Sequence, residues 1–297
     1  MRNWKLLLVA AALAAGCVGD VGTAGSGDDP AQTADTPPTG RGIGTIQTYA
    51  NERRPPRGNG ISYHGGPVML GDVGAHFIYY GNFTADKAVL ENFMNNDGGS
   101  PYYNINTTYF DGAGNHVSNA AHLASTAIDN GSRGTSLADS DITAIVAAQN
   151  PTDTNGVYFV LTAPDVNETS GFCTQYCGWH THATIGGLDI KYAFIGDSSR
   201  CPTACEVQST GPNGSTGADG MANIIAHEFE EATSDPDLNA WFDRQGAENA
   251  DKCAWTFGAT YTAANGATAN MSLGGRDYLI QQNWVNANGG LCAKSFP

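Results

Sequence analysis

The pattern of hydrophobic and polar positions predicts strands separated by helices over residues 60–297. Residues 75–80 and 157–161 are nearly continuous apolar runs, rich in aromatic and β-branched side chains, which are typical of buried strands. Residues 188–194 alternate apolar with polar side chains, the pattern of a strand with one exposed face. Towards the C-terminus, Gly-rich loops precede a short predicted strand at residues 278–281.

Two helices are predicted between these strands. The first follows Thr84, which is expected to cap it, and carries an apolar face. The second covers residues 137–149 and stops before Pro151. Because strands and helices interleave, we expect an α/β or α+β fold with a mixed sheet in a single domain. The apolar face of the first helix consists of Val89, Leu90, Phe93 and Met94.

A third predicted helix carries the residues that most clearly suggest chemistry. Residues 221–226 are apolar and lead into His227-Glu228-Phe229-Glu230-Glu231, and Asp235-Pro236 ends the run. Positions i and i+4 share one helix face, so His227 and Glu231 are candidate metal ligands. Glu228 stands where an HExxH motif has its general base. The alternative is an acidic helix end whose carboxylates face water.

Two ligands from one helix leave the third protein ligand of a catalytic zinc to be assigned. Glu248 is the predicted third ligand, with Asp251 close by as an orienting residue or an alternative ligand. This order resembles that of the gluzincins, in which a Glu after the motif binds zinc. Asp235 and Asp237 compete, the latter because it falls ten residues after His227, as in metzincin-type motifs.

His180 and His182 form a further candidate pair, in a loop flanked by cysteines. One His and two carboxylates form a harder set of ligands, in the hard–soft acid–base sense, than two His and one Glu. Ca²⁺ and Mn²⁺ are therefore alternatives to Zn²⁺. The other histidines lack ligand-type spacing and are predicted to be structural: His64, His76, His116 and His122. A GxSxG nucleophile elbow, a P-loop and a Rossmann fingerprint are absent from the sequence.

The N-terminus predicts export. Residues 1–17 have a basic start, an apolar stretch and a lipobox-like end at Cys17, the expected lipidation site; an ordinary signal peptide is the alternative. Residues 18–59 are low in complexity and are predicted to be a disordered tether before a domain at 60–297. We therefore expect a secreted protein or a cell-surface lipoprotein, which meets a membrane only through a lipid anchor.

Six further cysteines fit an exported protein with three disulfides. Cys253 is expected to bridge Cys292. The two CxxxC pairs should form two bridges near one end of the strand at 188–195, with their connectivity open; a zinc site is the less favoured alternative outside the cell. The first CxxxC motif contains Cys173 and Cys177, and the second contains Cys201 and Cys205. The net charge of −15 argues against nucleic-acid binding.

Several short motifs stand in order along the domain, at residues 63–68, 78–84, 171–180, 192–196, 201–205 and 217–221. Together they resemble the phosphate-induced protein 1, or EXORDIUM, family. The resemblance implies an extracellular protein, since the plant family is associated with cell walls and growth signalling without a clear biochemical activity. Plant members typically lack an intact HExxE, so the complete motif here suggests an enzyme.

Two hypotheses for function follow. The first is an exported metal-dependent hydrolase, most simply a zinc peptidase acting on a peptide or cell-wall substrate. A strand followed by the motif helix is also the order seen in zincin metalloproteases, which is an analogy of fold. The second is a non-catalytic cell-surface module that binds carbohydrate or protein, with aromatic residues stacked on sugars. Its candidate aromatic residues are Trp179, Tyr102 and Tyr103.

Overall fold

The computed structural model describes residues 60–297 and the backbone of the strand Thr45–Gln47. The predicted signal peptide, Cys17 and the rest of the predicted tether lie outside the described residues. The strands are β1 Thr45–Gln47, β2 Ser62–Tyr63, β3 Val73–Tyr80, β4 Ala121–Asp129, β5 Ser136–Leu137, β6 Gly156–Thr162, β7 Asn167–Glu168, β8 Tyr176–Ile185, β9 Leu188–Ile195, β10 Trp241–Phe242, β11 Tyr261–Thr262, β12 Thr268–Ala269, β13 Met271–Leu273, β14 Arg276–Tyr278, β15 Asn283–Val285 and β16 Leu291–Ala293.

The helices are α1 Lys87–Asp97, α2 Asp139–Ala148, α3 Pro202–Cys205 and α4 Thr216–Ser234, with 3-10 turns at Tyr103–Thr108, Ser198–Arg200 and Asp251–Cys253. The described helices include none long and apolar enough to cross a membrane. The fold is thus of the α+β class, with the helices arranged around one principal sheet.

That sheet has six strands in the order β1-β8-β9-β6-β3-β4. Strands β9, β6, β3 and β4 run parallel to one another, whereas β8 is antiparallel to β9 and β1 is antiparallel to β8. The mixed sheet is therefore confirmed. Strand β1 comes from the predicted tether and covers part of the edge of β8, where backbone groups would otherwise be unpaired.

The sheet is covered on both faces by helices. His180 and Ala193 are directly opposed on β8 and β9, and they share the face on which His180 contacts α4. Tyr192 points to the other face by alternation, and its hydroxyl lies 2.9 Å from Thr143 Oγ1 on α2. Helix α2 and helix α4 therefore lie on opposite faces.

This arrangement overturns the prediction that residues 188–194 form a half-exposed strand. From Ile190 onward every residue of β9 is buried. Its polar face, which includes Asp189 and Lys191, is the face that carries His180 and His182 and that packs against α4. The alternation was read correctly, but the polar face meets other polar side chains instead of solvent.

Three element boundaries also differ from the predictions. Helix α1 is capped by Asp86, whose side chain accepts the N–H of Ala88 at 3.0 Å, so the expected cap at Thr84 is wrong. Helix α4 begins at Thr216, five residues before the predicted start. The predicted strand at 278–281 is shifted, because strand β14 ends at Tyr278.

All three disulfides link segments around the sheet and α4. Cys173 bridges Cys201 and Cys177 bridges Cys205, which resolves the connectivity that the sequence left open. The bridge between Cys253 and Cys292 is confirmed. The first two bridges lie where β9 ends, since the N–H of Gly196 donates to the carbonyl of Cys177.

Candidate metal centre

Helix α4 presents the HExxE residues to the protein interior. His227, Glu228 and Glu231 have no solvent exposure, because α4 packs against β8, β9 and α1. A Cβ at Gly178 on β8 would lie 2.6 Å from Ile224 Cγ2, so only glycine permits this close approach of helix and strand. The alternative of a solvated acidic helix end is therefore wrong.

The His227 imidazole lies between two carboxylates. Its Nε2 is 3.0 Å from Glu231 Oε1 and 3.5 Å from Asp251 Oδ1. Its Nδ1 contacts the side-chain amide of Gln281, which fixes the ring orientation. Ligand-type atoms of His227, Glu231 and Asp251 all lie within 4.8 Å of one another, which is the geometry of a candidate ion site.

A second imidazole reaches the same carboxylate from the sheet. His180 on β8 places Nδ1 3.2 Å from Glu228 Oε2 and 3.7 Å from Glu231 Oε2. Its Nε2 is 3.7 Å from Glu248 Oε1, so His180, Glu231 and Glu248 form another candidate group within 4.8 Å. Glu231 is common to both groups, with Oε1 near His227 and Oε2 near His180.

The loop after α4 contributes Glu248 and Asp251 and is held rigidly. The backbone N–H of Asp251 donates to Glu231 Oε1 at 2.9 Å, and that of Glu248 donates to Asp251 Oδ2 at 3.3 Å. Cys253, at the end of the adjoining 3-10 turn, is bridged to Cys292. The buried pair of Lys252 Nζ with Asp243, at 2.8 Å, holds the same turn.

Burial and charge set the protonation of this cluster. Burial acts to lower the pKa of His227, but the Glu231, Asp251 and Glu228 carboxylates outweigh it and raise that pKa well above its ordinary value. Burial also acts to lower the pKa of His180, but the neighbouring carboxylates, of which Glu228 has the strongest effect, raise it above its ordinary value. Burial raises the pKa of Glu228, opposed by its contact with His180. The excess of buried negative charge attracts protons or a cation.

Three other candidate ligands belong to neither of these two groups. Asp235 Oδ1 accepts the backbone N–H groups of Asn239 and Ala240, at 2.7 and 2.6 Å, and so stabilises the turn that follows α4. His182 and Asp237 form a separate, partly exposed group with Asp189. An ammonium group already occupies that neighbourhood, since Lys191 Nζ is 2.7 Å from Asp189 Oδ2.

The aromatic residues proposed to stack on sugars are not available for that role. Trp179 and Tyr102 are each 1% exposed, and Tyr103 has no exposure. Tyr103 instead stacks on Phe229 of α4, with ring centroids 5.5 Å apart. The predicted sugar-stacking surface is therefore wrong, because all three rings belong to the core.

Gln281 is a member of the site that sequence reasoning missed. It lies on the irregular segment after β14 and reaches Nδ1 of His227 across 54 positions of sequence. A glutamine outside any ligand motif carries no local signal for such a role.

The chain matches known proteins over most of the described residues. The family model described as "Phosphate-induced protein 1 conserved region" matches residues 61–286. The Arabidopsis thaliana protein EXORDIUM-like 3 is 31% identical over 270 residues, which cover 75% of this chain and 80% of the relative. EXORDIUM-like 5 from the same plant is 30% identical over 272 residues, covering 75% of each chain.

A Nicotiana tabacum relative, PHOSPHATE-INDUCED 1, is 26% identical over 212 residues, which cover 61% of this chain and 67% of the relative. Comparison with solved structures finds no match. The resemblance read from the short motifs is therefore confirmed by comparisons over the same part of the chain.

Proposed function

The chain belongs to the phosphate-induced protein 1 family, and on that premise we propose that this member is an exported metal-dependent hydrolase. Its substrates would be peptides, and its metal Zn²⁺. The observation that carries the proposal is the buried convergence of two imidazoles and several carboxylates around Glu231. Three disulfides support export, since such bridges persist in oxidising compartments. Lipidation of Cys17 remains part of the proposal.

The donor atoms fit a zinc ion held by His227, Glu231 and Asp251. Ligand atoms at ~2.1 Å from a tetrahedral ion lie about 3.4 Å from one another. The separations of His227 Nε2 from Glu231 Oε1 and from Asp251 Oδ1, 3.0 and 3.5 Å, are close to that value. The proposal therefore gives Asp251 the role of third ligand, and it places Glu248 beside His180.

The side chains around this position can move a proton. Zn²⁺, when bound, supplies a Lewis acid that makes water acidic near neutral pH. Glu228 follows the first ligand in sequence, and its Oε2 lies 3.2 Å from His180 Nδ1. Glu228 would take a proton from the attacking water, and His180 would orient the carboxylate and balance its charge. Such proton transfer contributes typically ~10²–10⁴-fold to a rate.

A second candidate function is a non-catalytic surface module that holds a structural metal. Complete burial of His227, Glu231 and Glu248 favours it, because structural zinc sites are closed whereas catalytic sites keep an open position. Burial of the three candidate aromatic residues means that a carbohydrate or protein partner would bind elsewhere on the surface.

Metal binding is tested with Glu231→Gln and a matched control. Glu230→Gln changes the preceding residue of α4, which is equally buried but accepts a hydrogen bond from Asn283 Nδ2 at 2.7 Å instead of facing His227. Elemental analysis and competition titration should show about one equivalent of zinc in the wild type and in Glu230→Gln, and a large loss of affinity in Glu231→Gln. If the wild type binds no metal at micromolar concentration, or if both variants bind equally well, the proposed centre is refuted.

Catalysis is tested separately with Glu228→Gln. A peptide library should be cleaved by the metal-loaded wild type, and Glu228→Gln should keep its zinc while losing at least ~10²-fold in kcat/KM. Zinc binding without cleavage of any library member would reject the hydrolase in favour of the module with a structural metal.

A further inference from the structure

On the face of the sheet opposite α4, a change of register brings Ser125 beside His76. Pairing of β3 with β4 passes from Ala75↔Leu123 to His76↔Ser125, so Ala124 is an extra residue in β4. Bulges of this kind are rare in parallel pairs and are over-represented next to active sites, where they redirect a side chain. Without the extra residue, Ala124 would face His76.

Three side chains form a hydrogen-bonded series at this bulge. His76 Nδ1 lies 2.8 Å from Ser125 Oγ, and His76 Nε2 lies 3.1 Å from Asp153 Oδ2. Since a carboxylate can only accept, Nε2 of the neutral imidazole carries the proton and Nδ1 accepts a hydrogen bond from the hydroxyl of Ser125. The imidazole is stacked on Tyr158, with ring centroids 4.3 Å apart, which holds it in this orientation.

A cavity of about 220 Å³ adjoins this series. His76, Ser125 and Tyr158 line it, together with the turn that follows α2. In that turn Asn150 has a φ of 51°, a left-handed conformation that is uncommon for a residue other than glycine. Ser125 itself is exposed, so its hydroxyl is accessible to a ligand in the cavity. The volume is below the ~300–1,000 Å³ of sites for drug-sized ligands, so a short acyl group is the better fit.

This site is separate from the candidate metal centre. His76 is paired with Tyr158, which in turn is paired with Tyr192, and directly opposed residues point to one face. That face is the one covered by α2, since Tyr192 contacts Thr143. The candidate metal centre lies on the α4 face. A substitution at one site therefore leaves the side-chain contacts of the other site in place.

We propose that Ser125, His76 and Asp153 form a second reactive site, at which Ser125 is the nucleophile towards small esters. Ser125 Oγ attacks the carbonyl carbon while its proton passes to His76 Nδ1. Asp153 accepts Nε2–H and stabilises the imidazolium. The C–O bond to the alcohol then breaks, and the leaving alkoxide takes the proton from Nδ1. Water hydrolyses the acyl-serine by the same proton transfers, which releases the acid and restores the serine.

The test uses the full-length protein with two probes, p-nitrophenyl acetate and a fluorophosphonate. Mass mapping after brief exposure should find Ser125 as the principal modified serine. His76→Asn should slow the modification ~10²-fold or more, the usual contribution of a general base. The matched control is Thr126→Ala, since Thr126 is the next, exposed residue of β4 and points to the other face. It should be modified as fast as the wild type.

Three results would overturn the proposal: no modification of Ser125 in folded wild-type protein, modification of other serines at equal rates, or an unchanged rate in His76→Asn. The mapping on wild-type protein decides the matter even if the His76 variant does not fold. Asp153→Asn offers a second variant, which should slow modification while leaving the cavity-facing serine in place.

Discussion

The disulfide between Cys253 and Cys292 should control metal affinity as well as stability. Cys253 ends the 3-10 turn that begins with Asp251, and the backbone of that turn donates to Glu231. Replacing both cysteines with serine frees the turn from the C-terminal strand β16. Asp251 would then no longer be held 3.5 Å from His227 Nε2.

The expected loss of stability follows from the length of chain that the bridge closes. With a sequence separation of 39, the loop-entropy relation gives about 4 kcal/mol. The bridge of Cys173 to Cys201 gives less, because the bridge of Cys177 to Cys205 already joins the same two segments and leaves a ring of only about ten residues, for which the same relation gives about 2.5–3 kcal/mol. The two bridges therefore differ by about 1 kcal/mol in their expected contribution to stability, and they differ in what they hold in place.

Cys173→Ser/Cys201→Ser is the matched control, because it also removes one bridge but leaves the turn at Asp251 in place. Urea denaturation should place Cys253→Ser/Cys292→Ser about 4 kcal/mol, and the control about 2.5–3 kcal/mol, below the wild type. Zinc affinity, measured by competition titration under conditions where each variant is folded, should fall about 10- to 100-fold only in Cys253→Ser/Cys292→Ser. Mutation of groups that orient ligands typically has an effect of this size.

Equal zinc affinity in the two double variants would refute the reasoning, because it would show that the bridge does not position Asp251. A loss of affinity in both would also contradict it, since the effect would then follow stability alone.

Two further predictions concern packing and pH. Gly178→Ala should destabilise the fold by ~1–3 kcal/mol in denaturant titration, because its Cβ would lie 2.6 Å from Ile224 Cγ2; Gly60→Ala, in open space, should have little effect. Burial, aided by the charge of Asp197, raises the pKa of Glu206 from 4.5 to about 7. The folded protein therefore holds a proton that the unfolded chain has lost between these two pH values, so stability falls as pH rises through this window. Glu206→Gln should therefore raise Tm at pH 8 and leave it unchanged at pH 4; the same gain at both values would contradict this.

Local pattern was sufficient for the longer helices, for two buried strands and for part of the candidate metal centre. The spacing of His227 and Glu231 places them on one face of any helix, so their proximity of 3.0 Å needed no knowledge of the fold. Buried strands at β3 and β6 followed from their apolar runs. The bridge of Cys253 to Cys292 followed once the two CxxxC pairs were set aside.

What the sequence could not supply were contacts between elements. His180 meets Glu228 across 48 positions, and Gln281 meets His227 across 54. Such contacts depend on strand register and on how closely a helix approaches the sheet, which hydrophobic periodicity does not specify. The roles of Glu248 and Asp251 likewise depended on which imidazole each one faces.

The sequence by itself therefore determined the family, the motif helix and the buried strands β3 and β6, because each is specified by residues close together along the chain. It did not predict the buried strand β8, whose residues His180 and His182 were expected in a loop. Tertiary structure decided which polar residues are buried and with which partners. The polar face of β9 is covered by α4, and one extra residue in β4 brings Ser125 beside His76. The reason is geometric: side-chain contacts between elements are fixed by strand register and by packing, and both depend on segments that are far apart in the sequence.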